Sequence, residues 1–522
     1  MNQRILMSGD EAIARGAFEA GIYAGFGYPG TPSTEILENF ALYKGIYAEW
    51  SINEKVALEA ATGASLGGVR TMCTMKHVGL NVALDAYMTL AYTGINGGLV
   101  VVCADDPGMH SSQNEQDNRY IGKFSYTPIL EPADSQEAKD FMKDAVEISE
   151  HFDLPVLFRI TTRIAHSKTV VEINPDLKPE FPKKKMDVPW EKYVMMPLNA
   201  KKKRVVLVDK YKKLKAFAET TKLNTEELLS SDVGFITSGA VYQYVKEVFP
   251  DKSVLKLGLL NPLPIQKIKK FAETVKKLYV VEELEPYIED ILKAEGIVVE
   301  GKKVFPLIDE LTPDIIRDSY NKFNSLNTAN VIAEIKKPIV PSRPPSLCFD
   351  CGHRGVFKVL GEMGLVVAGD IGCYTLGALP PFSALHTCID MGSAINHAYG
   401  IEKAGEPADK VVAVIGDSTF MHSGITGIAN MVYNGGNTLT IILDNKTTAM
   451  TGRQPHAAAG KTLMGHIAPN IILEKLLEGL GVTQVAVIDP FETNKLKSLI
   501  TEYLGKKGVK VIIARRECAL LK

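Results

Sequence analysis

The segment 411–447 concentrates groups that can hold a phosphorylated ligand through a divalent cation. Gly416-Asp417-Ser418 closes the apolar run Val411-Val412-Ala413-Val414-Ile415, and Asp444-Asn445 closes a second, Leu439-Thr440-Ile441-Ile442-Leu443. Between them the apolar period predicts a helix from about Met421 to Tyr433, stopped by Asn434-Gly435-Gly436. In a strand–helix–strand unit both strands run parallel, so Asp417 and Asn445 fall at the same strand ends and face one crevice. Two side-chain oxygens and a loop carbonyl, for which Thr447 is well placed, suit Mg²⁺, which takes its other oxygens from phosphate and water. The start of the 421–433 helix offers free N–H groups and a positive dipole end to the same phosphates.

Gly-Asp-Ser followed by Asp-Asn on such a frame resembles the thiamine-diphosphate-binding motif. The competing reading is a generic crossover whose Asp and Asn cap helices. Thiamine diphosphate would impose a second requirement, a carboxylic acid held against the ring nitrogen of its aminopyrimidine. Glu54-Lys55-Val56-Ala57-Leu58-Glu59-Ala60-Ala61-Thr62-Gly63 meets it, with Glu54 at a helix start and small residues ending in Gly63 to let a ring approach. Glu59 is the rival acid but lacks that spacing. Taken alone, Glu54 would read as a surface carboxylate near a helix dipole; the 411–447 motif shifts the balance.

Seven cysteines, an odd number, argue against a secreted disulfide framework and leave thiols or metal ligands. Cys348-Phe349-Asp350-Cys351-Gly352-His353-Arg354 is a CxxC, Cys373 follows in Gly369-Asp370-Ile371-Gly372-Cys373, and Cys518 follows the apolar strand Val511–Ala514. Four thiolates could hold a [4Fe–4S] cluster or a structural zinc, and the CxxC alone could be a redox pair. Cys73, Cys103 and Cys388 read as ordinary core residues.

These groups need elements to carry them. In the first block, to about residue 181, strand-like runs such as 71–75 and 98–103 alternate with helix-like stretches at 53–66 and 134–150, the pattern of an α/β domain with a mostly parallel sheet. Residues 182–230, with Lys183-Lys184-Lys185 and Lys201-Lys202-Lys203-Arg204, read as a solvated basic linker with a charged helix near 210–222. Block 231–301 is a smaller α/β domain, with strands at 233–237 and 278–282 and helices near 241–249 and 265–275. A second linker, 302–345, ends in prolines, and 346–522 is again α/β. At roughly 150 residues per domain, 522 residues allow about three domains.

The chain resembles the 2-oxoacid:ferredoxin oxidoreductases, and among them alpha subunits of the indolepyruvate (arylpyruvate) type, over nearly its whole length. Gly27-Tyr28-Pro29-Gly30-Thr31-Pro32-Ser33-Thr34-Glu35, Glu49–Lys55, Thr74–Asn81, Asp105-Asp106-Pro107-Gly108, Cys348–Arg354 and Asp444–His456 carry the likeness. It implies an α/β fold of three domains, in which pyrimidine-binding and diphosphate-binding parallel-sheet domains flank a transketolase-C-terminal-like domain. It implies Thr31 near cofactor or substrate, Glu54 as the pyrimidine acid, and Mg²⁺ on Asp417, Asn445 and the Thr447 carbonyl. Gly416, Ser418, Gly372 and His353 are expected around the cofactor, and Cys348, Cys351, Cys373 and Cys518 as ligands of a [4Fe–4S] cluster. Thr31, His77 and His110 are candidates for the substrate pocket.

The activity implied is oxidative decarboxylation of an arylpyruvate such as indolepyruvate to the acyl-CoA, with coenzyme A as co-substrate and ferredoxin as electron acceptor. A smaller beta subunit and a dimer of heterodimers are the expected assembly. Related alpha subunits continue into a ferredoxin-like module with two Cys-x-x-Cys-x-x-Cys-x-x-x-Cys-Pro runs; these 522 residues hold none, so electrons are expected to leave for an external ferredoxin or for a module on another subunit. The rivals are a non-oxidative thiamine-diphosphate-dependent decarboxylase or carboligase, and a non-catalytic zinc-stapled subunit. A net charge of −2, from 59 basic and 61 acidic residues, argues against a nucleic-acid partner. No apolar run reaches the roughly 18 residues that span a bilayer. The opening Met1–Met7 runs straight into Ser8-Gly9-Asp10-Glu11, too short and acidic for a signal peptide, so a cytoplasmic enzyme is expected.

Overall fold

A computed structural model describes residues 3–186, 188–326 and 343–521. The chain forms two compact units, 1–336 and 337–522.

The described part of the first unit is built on a seven-stranded sheet in the order Leu259–Asn261, Ile129–Leu130, Val156–Thr161, Leu99–Asp105, Thr71–Lys76, Ala24–Gly27, Tyr47–Trp50. All pairs are parallel except the first, which is antiparallel. Leu99–Asp105 is buried along its whole length, as a strand covered on both faces must be. The direction of strand succession reverses between Ala24–Gly27 and Thr71–Lys76, the kind of switch point that opens a crevice beyond the strand ends.

The 231–301 block carries its own sheet, Lys277–Val281, Val233–Ser238 and Ser253–Leu257, to which Thr225–Glu227 of the 182–230 stretch adds an antiparallel edge. One apolar core runs through both sheets, joining Phe26, Val101 and Leu157 to Ile236, Leu257 and Val280. The basic stretch 182–230 differs from expectation. Its helix runs Pro197–Ala218, starting on a first-turn proline that fixes the helical φ, and its buried Leu207 and Leu214 pack where the charge pattern suggested solvent alone. In the second connector the helix Pro313–Phe323 packs on Gly239–Val248, and Ile316 joins the core with Phe235 and Val245. The prolines Pro338 and Pro341 lie outside the described residues.

The second unit has a five-stranded parallel sheet, Val366–Ala368, Val411–Gly416, Leu439–Asp444, Lys510–Arg515, Gln484–Ile488. Successive strand residues point to opposite faces. Val412, Val414, Ile441 and Ile512 pack with Val356 and Leu360 of the helix His353–Met363 and with Leu496 and Ile500 of Thr493–Leu504. Val411, Ala413, Ile415, Ile442 and Ile513 pack on the other face against Ile395 of Ser393–Lys403 and Ile428 of Ile425–Tyr433. That double burial explains why these strands read as unbroken apolar runs.

Candidate functional site

In the second unit Gly416 ends its strand and caps the helix that follows, so Asp417 is the first helical residue; the sequence period had set the start at Met421. The helix opens into a π turn over Phe420–Gly424 before Ile425–Tyr433. The wider turn blurs the 3.6-residue period, which is why the early start was not legible. Asp417 is buried. Its Oδ1 accepts the Ser418 N–H at 2.9 Å, its Oδ2 accepts the Lys446 N–H at 2.7 Å, and His456 Nε2 lies 3.2 Å from Oδ2. Burial pushes its carboxyl up, but His456 and the two backbone donors outweigh that and hold it below the usual carboxylate range.

Asn445 follows the parallel strand Leu439–Asp444 and accepts the Thr447 N–H on its Oδ1 at 3.0 Å. Lys446 between them takes a left-handed φ of 65°, a strained turn of the kind held at binding loops. Asp417, Asn445 and Thr447 therefore occupy one pair of adjacent strand ends, as their spacing predicted. Ser418 Oγ hydrogen bonds with Thr448 Oγ1 at 2.7 Å. Tyr374 covers the first turn: a Cβ on Gly416 would stand 2.6 Å from its Cε1, so only glycine lets the strand end pass under the ring. A Cβ on Gly372 would meet the same atom at 2.3 Å.

His353 is buried, and burial presses it down to about 4 against the pull of Asp417, so it is a neutral ring. Its Nε2 lies 3.5 Å from Asn445 Nδ2. Asp370, absent from the sequence-derived site, is fully buried and accepts N–H groups from Ile371, Gly392 and Ala394 at 2.8–2.9 Å, pinning the loop that carries Gly372 and Cys373. Burial, relieved by those donors, leaves its carboxyl raised to about 7. Only its place after a strand could have flagged it.

Cys348, Cys351, Cys373 and Cys518 line a single cavity of about 70 Å³, together with His353, Asn445 and Arg516. The Cys518 N–H donates to the Asn445 carbonyl at 3.0 Å, tying the last cysteine to the Asp417 crevice. Burial, then the neighbouring thiols, raises Cys373 to about 11. Among the described residues these cysteines do not form a set of three ligand atoms within 4.8 Å, whereas tetrahedral zinc with Zn–S near ~2.3 Å would bring four sulfurs to about 3.8 Å. Cys73 and Cys103 are buried as expected. Cys388 is only half-buried, because its thiol turns to the Asp370 carbonyl at 3.4 Å instead of into the core.

In the first unit the candidates gather at the C-terminal strand ends. Glu54 is buried and opens the helix Glu54–Leu66, whose N-cap Asn53 accepts the Val56 N–H at 2.9 Å. Glu59 is half-exposed and paired with Lys55, which removes the rival acid. Gly63 leaves open space at its Cβ position, and a second glycine, Gly79, makes room for Glu54 itself: a Cβ there would stand 2.6 Å from Glu54 Cγ and Oε1. Thr31 offers its carbonyl to Ser111 Oγ at 2.9 Å. Lys76, which spacing did not single out, ends its strand with a buried amine that donates to the Ser111 carbonyl at 2.7 Å and to its Oγ at 3.1 Å. Burial brings Lys76 down to about 8, against the pull of Asp106. His77 is fully buried, and burial, then the Lys76 charge, takes it down to about 4. His110, beside Ser111 in the chain, is exposed and lies 3.4 Å from Glu310.

Two family models match the chain: "Pyruvate flavodoxin/ferredoxin oxidoreductase, thiamine diP-bdg" over residues 15–227 and "Thiamine pyrophosphate enzyme, C-terminal TPP binding domain" over residues 370–514. Indolepyruvate oxidoreductase subunit IorA of Archaeoglobus fulgidus is 40% identical over 99% of this chain and 87% of its own length. Its counterpart in Pyrococcus abyssi is 41% identical over 99% and 86%. The 2-oxoglutarate:ferredoxin oxidoreductase from Magnetococcus marinus, solved with 2-oxoglutarate, coenzyme A and succinyl-CoA, shares the fold with a TM-score of 0.52 at 18% identity, over 61% of this chain and 65% of that one.

Proposed function

The chain belongs to the 2-oxoacid:ferredoxin oxidoreductase family, and from that premise we propose that it is the catalytic subunit that oxidatively decarboxylates an arylpyruvate such as indolepyruvate to its acyl-CoA, with electrons passing to ferredoxin. Two thiamine-diphosphate-binding family models and relatives named as indolepyruvate oxidoreductase subunits together support thiamine-diphosphate-dependent oxidation of a 2-oxoacid. The observation that carries the finer reading is that four cysteines line one cavity whose wall includes His353 and Asn445, beside Asp417.

The residues present fit both groups. Asp417, Asn445 and the Thr447 carbonyl form an all-oxygen set of the kind Mg²⁺ takes, with Ser418, Gly416 and Gly372 lining the approach to a diphosphate. Four thiols around one cavity fit a [4Fe–4S] cluster. When bound, thiamine diphosphate supplies the electron sink for loss of CO₂, and the cluster accepts the electrons one at a time.

The protein's share is positioning and protonation. Glu54, held in its buried place by the Asn53 cap and the Gly79 contact, offers its carboxyl as the acid partner of the pyrimidine ring nitrogen. Neutral His353 fills the wall between crevice and cavity without adding charge. Ser111 joins Thr31, whose carbonyl accepts from its Oγ, to Lys76, whose amine donates to its carbonyl, and the Lys76 cation suits the carboxylate of a 2-oxoacid. A smaller beta subunit, ferredoxin and coenzyme A complete the proposed reaction, with a dimer of heterodimers as the assembly. Among the described residues no helix is long and apolar enough to cross a membrane.

Anaerobic purification with the partner subunit tests the reading. Brown protein with about four irons per chain, reducing viologen only with an arylpyruvate and coenzyme A, is the expected result. Colourless protein that decarboxylates without an electron acceptor would replace it with the non-oxidative lyase.

A further inference from the structure

Away from the residues assigned above, the first unit holds a second set of ligand-type groups. Asp10 lies in the first turn of Gly9–Glu19, Glu35 in the first turn of Thr34–Phe40, and His166 ends Thr162–His166. One ligand atom from each lies within 4.8 Å of the other two, and His166 Nε2 is 4.0 Å from Glu35 Oε2. Among the described residues no other set of three does this.

Asp10 makes this more than a gathering of acids. It is 1% exposed, and neither carboxylate oxygen has a hydrogen-bond partner. Glu35 Oε2 is buried beside it in the same condition, although the rest of that side chain reaches solvent. A buried carboxylate without a partner is costly, and two facing each other more so. The neighbouring Ser8–Glu11 capping box does not help, because Ser8 exchanges hydrogen bonds with Glu11, not Asp10. The nearby Lys168 pairs with Glu11 at 3.6 Å. With the two carboxyls facing each other and no donor between them, the pair either shares a proton or holds a cation.

We infer that Asp10, Glu35 and His166 bind a divalent first-row transition-metal ion of the manganese or zinc class. The imidazole nitrogen sets the class: magnesium and calcium sites are built from oxygens, whereas one nitrogen with two carboxylates suits the transition ions. Bonds of about 2.0–2.2 Å at the tetrahedral angle place ligands about 3.3–3.6 Å apart, so an ion would draw His166 and Glu35 in by about half an ångström from their 4.0 Å. Glu35 and His166 are each half-exposed, leaving the remaining positions to water. Such an ion would tie together three helices that otherwise meet through side-chain packing. One of them, Thr34–Phe40, begins three residues after Thr31, so the ion would brace the base of the loop that carries it.

The full chain tests this with its cysteines loaded with iron and with magnesium and thiamine diphosphate at saturation, so that neither proposed cofactor site competes. Mn²⁺ is the probe, because zinc would also seek thiols, and free Mn²⁺ is counted by its EPR signal. The wild type is expected to bind one more Mn²⁺ than Asp10→Asn, and to gain thermal stability on binding. His166→Ala and Glu35→Gln, at half-exposed positions that should leave folding intact, are expected to weaken that binding about tenfold or more. Equal Mn²⁺ stoichiometry and affinity in the wild type, His166→Ala and Glu35→Gln would overturn the site and leave the shared proton as the explanation. The outcome is independent of arylpyruvate turnover, so it can fail while the proposed activity stands.

Discussion

His456 Nε2 stands 3.2 Å from Asp417 Oδ2, the same oxygen that takes the Lys446 N–H at 2.7 Å. The buried carboxylate is thus kept ionised by a loop that also carries Asn445 and Thr447, and the charge is in place before any cation arrives. Asp417→Asn keeps an acceptor for one N–H and removes the charge. Its expected effect is a fall of about 10- to 100-fold in affinity for Mg²⁺ with thiamine diphosphate, with little change in fold. Calorimetric titration measures it, and an unchanged affinity would take Asp417 out of the metal site.

Glu54 has a different task and predicts a different loss. Gln in its place keeps the shape but cannot act as the acid against the pyrimidine ring. Binding of the diphosphate should be largely preserved, while exchange of the thiamine C2 proton slows by about 10²- to 10⁴-fold. Exchange followed by NMR in deuterated buffer decides it; an unaltered rate would remove Glu54 from this role.

Gly79 provides a test from the other side of the same contact. A methyl there would stand 2.6 Å from the Glu54 carboxyl and must displace it. Gly79→Ala should cost about 1–3 kcal/mol of stability and slow proton exchange even though position 79 carries no functional group. Combined with Glu54→Gln, it should slow exchange no further than Glu54→Gln alone. Additive losses would mean that Gly79 acts elsewhere.

Lys76 yields a pH signature. In the fold its amine loses its proton near pH 8, against an ordinary value of about 10.4. Below pH 8 both folded and unfolded chains hold the proton, and the cost of burying the charge is present in full. Between the two values the unfolded chain binds more protons, so stability rises with pH. Relative to Lys76→Met, the wild type should gain about 2 kcal/mol between pH 8 and about pH 10. Denaturant unfolding of both proteins across that range shows the gain, and parallel curves would rule out a depressed Lys76.

The sequence reached the site through its strand ends. Apolar runs buried on both faces are hard to misplace, so Asp417, Asn445 and Glu54 fell where their spacing put them. What it missed depends on side chains that meet across the fold. Arg119 is buried with Asp117 and with Glu282, 163 residues away, and Arg159 with Asp105 and Glu131, so the first sheet and the 231–301 block share an ionic core within one unit. Nothing local marks such partners, since each is an ordinary charge until the chain folds. Gly79 escaped notice for the same reason: its partner lies 25 positions back. The π turn after Asp417 hid the helix start by breaking the period on which the reading relied.

The cysteines allow a prediction with its own control. Cys348, Cys351, Cys373 and Cys518 line one cavity, whereas Cys388 sits nearby with its thiol directed at the Asp370 carbonyl. Cys518 is held in place by its N–H on Asn445, in a segment that follows the last strand, so replacing it disturbs little of the core. Cys518→Ala should lose most of the iron and the cluster's visible absorption, and with them viologen reduction, while diphosphate binding at Asp417 survives. Cys388→Ala should keep the iron of the wild type, because its sulfur is not among the cavity's lining. Iron analysis and absorption spectra of the two anaerobically purified variants separate a four-cysteine cluster from adventitious iron. If Cys388→Ala lost iron and Cys518→Ala kept it, the ligand set would have to be redrawn around Cys388.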